Sequence, residues 1–137
     1  MKNICPLRTE AYRIDSYYMF FFVLPLFALF LLAFFTLGEE HIIPLFIAYA
    51  ILFTTIFWLY FALQESSPKQ ATFGKRKVGF IVVDTAGRRI SFARASLRFW
   101  LFILSGLSLG LLALLCTLNR DCICLHDRLS GTRVVLK

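Results

Sequence analysis

Negative charge is scarce in this 137-residue chain, with eight Asp and Glu against fifteen Lys and Arg. Histidine is scarcer, at two, and no nucleophile, base and orienting group fall together, so nothing points to an enzyme. Gly74-Lys75 lacks the rest of a phosphate-loop pattern. No basic face interleaved with aromatics suggests nucleic acid, and no internal repeat is visible. The four cysteines, Cys5, Cys116, Cys122 and Cys124, are too few and too poorly spaced for a metal framework. Ligand pairs are separated by two to four intervening residues, and Cys122-Ile-Cys124-Leu-His126 leaves only one between each pair. Neither metal nor cofactor is expected, and free thiols are.

Charge is missing altogether from three stretches: Ser16 to Gly38, His41 to Gln64, and Phe99 to Asn119. Each is long enough for the roughly 20 residues that cross a bilayer's hydrocarbon core. What fills them is apolar. Hydrophobic residues make up 59% of the chain and Phe alone supplies 16, more than one small soluble core can hide. Lipid offers the backbone no partners, so these stretches must be helical. The first reads as a span rather than a cleaved signal, because Asp15 interrupts the leader and the run closes on Phe35-Thr36-Leu37-Gly38.

Basic residues orient the chain. Lys2, Arg8 and Arg13 precede the first stretch, and eight Lys and Arg lie between Glu65 and Arg98, whereas the first connection is Glu39-Glu40. The N-terminus and the long connection are therefore expected in the cytoplasm. A third crossing by 99–119 would strand Arg120, Arg128, Arg133 and Lys137 outside. A re-entrant hairpin turning near Ser105-Gly106 to Gly110 would keep them inside. Length favours the crossing and charge favours the hairpin.

The expected fold is an all-α membrane protein in one domain over 1–137. Its parts are spans at about 16–38 and 42–64, a cytoplasmic connection over 65–98, a third apolar helical segment over 99–119 (re-entrant hairpin or third span), and a polar tail over 120–137. Within the connection, Val-Gly-Phe-Ile-Val-Val-Asp84 and Arg88-Arg89-Ile90-Ser91-Phe92 flank a Gly-containing turn. That pattern predicts a small β-hairpin over 78–92. Arg94 and Arg98, four apart, share one side of a helix and suit the interface with anionic headgroups. Arg8 and Asp15, seven apart, also share a helix face, with Ala11 between them. A short acid at the head of an apolar run needs a partner.

Four motifs in order resemble the RDD family of small integral membrane proteins. They are Arg8…Ile14-Asp15, Thr72-Phe-Gly-Lys75, Val78 through Arg98, and His126-Asp-Arg-Leu-Ser-Gly-Thr-Arg-Val-Val135. Arg13 stands where the family usually has an apolar residue, so either Arg8 or Arg13 is a possible partner for Asp15. The resemblance implies a multi-pass protein of the bacterial inner membrane. It also implies a polar cluster of Arg8, Asp15 and Asp127, and a cytoplasmic-face motif of Gly74, Lys75, Arg98, His126, Gly131 and Thr132. The family's activity is unsettled and only loosely linked to transport. Two functions follow as expectations. One is an accessory or assembly subunit that binds a membrane-protein partner. The other is a homo-oligomeric transporter or cation/proton exchanger using Asp15 with Arg8 and Asp127.

Overall fold

The computed structural model describes residues 5–37, 39–107 and 124–137. Two long helices dominate: α1 (Cys5–Thr36) and α2 (Ile42–Ser66), joined through a 3-10 turn at Glu39–His41. Pro44 falls in the first turn of α2, where its missing donor costs little. Both helices are long and apolar enough to cross a membrane, and their most hydropathic windows are only 6% and 0% buried. That exposure rules out reading them as core helices of this molecule. Phe21, Phe35, Ile43 and Ile51 stand bare, as lipid-facing side chains do.

α1 begins well before the first charge-free stretch. Its buried residues, Arg8, Ala11, Asp15 and Met19, recur at helical spacing and form one stripe along its N-terminal half. Against that stripe sits a cap built from the rest of the chain. α3 (Phe73–Val78) is initiated by Thr72, whose hydroxyl accepts from the Lys75 amide at 3.5 Å, and ends at Gly79 with φ +84°. β1 (Phe80–Asp84) follows, then α4 (Phe92–Leu107), α5 (Leu125–Leu129) and β2 (Thr132–Leu136).

The β structure differs from the sequence expectation. β1 pairs antiparallel with β2, in register Phe80↔Leu136, Val82↔Val134 and Asp84↔Thr132. Of the expected 78–92 hairpin there remain one bridge, Val83↔Arg89, and the Asp84 N–H donating to the Arg88 carbonyl at 2.9 Å. The reason is side-chain chemistry. Arg88 and Arg89 are exposed and offer the sheet no apolar face, whereas Val134 enters a core of Phe80, Val82, Ile90, Ala95, Ala62 and Ala11. The tail over 120–137 is thus an ordered part of the cap from Cys124 onward.

α4 is amphipathic in an inverted sense. Ala95, Arg98, Phe99 and Ser105 face the protein, while Leu97, Trp100 and Leu104 face outward. Ser105 and Gly106 are helical and do not start the expected turn, and Gly110 falls outside the described residues, as do 108–123. Residues 124–137 lie against the start of α1 and against β1, at the same end as the connection that follows α2.

Candidate functional site: a buried ion network under the cap

Six ionised side chains are buried where α1, α2, α3, α4 and α5 meet: Arg8, Lys75 and Arg98 against Asp15, Glu65 and Asp127. Three positive and three negative charges balance. An unpaired charge in such a place would cost several kcal/mol, about 3–5 when one partner is lost.

Five of the six form one chain of contacts. One Asp127 carboxylate oxygen accepts from Arg8 Nη2 at 2.6 Å. The other accepts from Arg98 Nε at 2.9 Å and lies 2.7 Å from Arg98 Nη2. The third nitrogen of the same guanidinium, Nη1, donates to Glu65 Oε2 at 2.7 Å, and Lys75 Nζ donates to Glu65 Oε1. Arg98 thereby ties α4 to α2 and α5 with one planar fork, a role a point charge does not fill. Arg94, four residues away and expected on the same side, is exposed and reaches Asp84 at 3.6 Å instead.

Asp15 stands apart from this chain. It accepts from the Tyr60 hydroxyl at 2.8 Å, the Thr72 hydroxyl at 2.5 Å and the Gly74 amide at 2.7 Å. Arg8 and Asp127 therefore meet directly, and Asp15 instead docks the first turn of α3 onto α1. Arg13 is no competitor, being exposed and paired with Glu10 at 2.7 Å. Gly74 has no alternative at this junction. A Cβ there would lie 2.1 Å from the Ala11 carbonyl oxygen and 2.8 Å from Asp15 Cγ.

Burial pushes the His126 imidazole down to about 4, and Arg98, Arg8 and Lys75 push the same way against Asp127. Burial alone would raise the Asp127 carboxyl, but Arg98 and Arg8 outweigh it and hold it well below the usual carboxylate range. His126 Nε2 is buried and has no hydrogen-bond partner among the described residues. It borders a cavity of about 20 Å³ lined also by Tyr12, Glu65, Lys75 and Arg98. That is room for one water. Gly131, at φ +62°, turns the chain from α5 into β2, and Thr132 Oγ1 lies 2.9 Å from Ser130 Oγ.

Cys124, His126 and Asp127 bring possible metal-ligand atoms within 4.8 Å of one another. Their donor chemistry does not fit a cation. Both Asp127 oxygens are held by guanidinium groups, and Cys124 is disulfide-bonded. Cys5 is disulfide-bonded too, which corrects the expectation of free thiols at these two positions; Cys116 and Cys122 lie outside the described residues.

Glu65 and Tyr60 escaped sequence reasoning. Glu65 had a signal: it is the first charge after the second apolar stretch, where an acid is costly unless paired.

The sequence model of the RDD family matches residues 7–131, a range that takes in Arg8, Asp15 and Asp127. The chain belongs to the RDD family. Over 81 residues it is 35% identical to a protein of Bacillus subtilis (strain 168) called "Uncharacterized protein YxaI". That match covers 58% of this chain and 52% of the relative, so the chain spans about half the relative's length. No solved structure matches. In this RDD chain the Arg and the second Asp form an ion pair, and the first Asp holds α3.

Proposed function

We propose that this RDD protein is an accessory or assembly subunit of a membrane complex, its bare Phe- and Leu-rich spans meeting partner helices within the bilayer. One observation carries the reading. Each of the three carboxylates of the buried network is committed to fixed donors: Asp15 to three, Asp127 to two arginines, Glu65 to Lys75 and Arg98. A carboxylate that exchanges protons or cations must release its partners in each cycle. Here release would unlatch α3 or α5 from α1. The grooves between the two spans are lined by apolar residues such as Met19, Phe22, Leu26 and Leu45.

Purification in mild detergent followed by native mass measurement tests this, with a co-purifying membrane protein as the expected result. Cation or proton flux from the purified chain in vesicles, lost in Asp15→Asn, would overturn it in favour of the exchanger.

The same reading puts the N-terminus and cap in the cytoplasm of a bacterial cell, supported by the basic residues gathered there and by the return of residues 124–137 to that end. A reducing cytoplasm opens disulfides. A permeant maleimide should therefore label Cys5 and Cys124 in cells, and an impermeant one should not. Disulfides that stay closed to the permeant reagent in cells, and that an impermeant one labels after an impermeant reductant is added, reverse the orientation.

A further inference from the structure

Three consecutive basic residues follow Gly74, and the fold uses them differently. Lys75 turns inward to Glu65, whereas Arg76 and Lys77 are exposed and have no carboxylate partner among the described residues. Arg76 Nη2 instead donates to the side-chain amide oxygen Oε1 of Gln64 at 3.4 Å. Both cationic groups lie 5.5 Å from the Phe73 ring centroid, and that ring packs on Tyr18 with centroids 4.1 Å apart. Two cations are thus held on an aromatic base at the basic end of the spans.

Gln64 also closes one end of an open groove of about 360 Å³ between α1 and α2. Met19, Phe22, Ile56, Leu59 and Leu63 line it. Phe22, Leu59 and Leu63 are themselves exposed, so the groove is continuous with the lipid-facing surface of both spans. Its shape is apolar along the span, neutral and polar at Gln64, and cationic at the rim.

We propose that this groove and its rim bind one anionic phospholipid. An acyl chain lies along Met19, Phe22, Ile56, Leu59 and Leu63, and the phosphate is held by Arg76 and Lys77. The charge complementarity selects the occupant. A helix from a second copy would fill the apolar part but leave both cations without a counter-charge, whereas a phospholipid supplies both halves at this depth. Arg recognises a phosphate through its fork, and Gln64 limits that fork's freedom.

The test is native mass measurement of the full chain in detergent, titrated with phosphatidylglycerol or with phosphatidylcholine of the same acyl chains. Wild type should retain one phosphatidylglycerol in preference to phosphatidylcholine. Removing each charge, by Arg76→Gln or Lys77→Gln, should weaken phosphatidylglycerol retention on the order of fivefold. Leu59→Trp, which fills the groove, should lower retention of both lipids. Arg89→Gln with Arg128→Gln, exposed arginines outside the groove, should change nothing. Equal retention of the two lipids by wild type overturns the proposal. So does an equal loss in the Arg89/Arg128 variant, or a lipid-free dimer that Leu59→Trp separates. None of these outcomes depends on whether a partner protein co-purifies.

Discussion

Arg98 and Asp127, on α4 and α5, share a hydrogen bond of 2.9 Å and an ion-pair contact of 2.7 Å in an almost fully buried setting, and the same guanidinium reaches Glu65 on α2. This pair is the node of the cap. Asp127→Ala leaves the cations around it short of an anion, and the loss should be about 3–5 kcal/mol. Thermal unfolding in detergent, followed by circular dichroism, reads it. Arg98→Lys should recover little, because one ammonium cannot serve two carboxylates on different helices. A lysine variant as stable as wild type would mean that net charge, not fork geometry, holds α4.

Gly74→Ala is expected to be among the most damaging single changes outside the ion network. The added methyl meets backbone at the Ala11 carbonyl, which cannot swing aside, so α3 must leave α1 and Asp15 loses its Gly74 donor. Gly79→Ala is the matched control. Nothing lies within 4 Å of its Cβ, and only the left-handed φ of +84° opposes it, at a cost of about 1 kcal/mol. Side-by-side melts should rank Gly74→Ala far below Gly79→Ala. Equal melting points would place the tolerance of this junction well above what rigid packing allows.

The spans were legible because lipid acts on composition: a run without charge is visible wherever it occurs, and α2 begins where the second run predicts. The shared helix face of Arg8 and Asp15 at the start of α1 was legible in their spacing, but what buries it was not, because the cap comes from distant parts of the chain. The partner of β1 was not legible. Local pattern favoured Arg88–Phe92, a few residues on, and the actual partner lies some 50 residues further along the chain. Pairing at that separation is decided by which strand can bury an apolar face, and Val134 can. The role of Asp15 was hidden likewise. Its donors Tyr60, Thr72 and Gly74 are 45 to 59 residues away, and all three are neutral groups that no charge rule detects.

That long-range pairing offers a direct check on the return of the tail. Ile81 and Val135 are register partners. Ile81→Cys with Val135→Cys should cross-link under mild oxidation, and peptide mapping would locate the bond, since cross-strand neighbours lie within disulfide reach. Ile81→Cys with Leu129→Cys, which are not register partners, should link far less. Absence of the Ile81–Val135 link in membranes, with both thiols reactive, would separate the tail from β1 and reopen a third crossing.

Protonation of His126 should set the acid limit of the cap. Its folded value, about 4, lies below the ordinary 6.5, so the unfolded chain binds more protons between those two values. Stability therefore rises with pH across that window and is lost as pH falls through it, by up to about 1.4 kcal/mol for each pH unit. Asp127, also held low, adds its own loss only further down, once pH approaches the ordinary carboxylate range near 3.8. His126→Phe removes the first component while keeping a ring against Phe102, whose centroid is 5.5 Å from the imidazole. Melting points of the variant should be flat from pH 6.5 to about 4.5 where wild type declines. Parallel slopes in the two proteins would assign the acid sensitivity to another group.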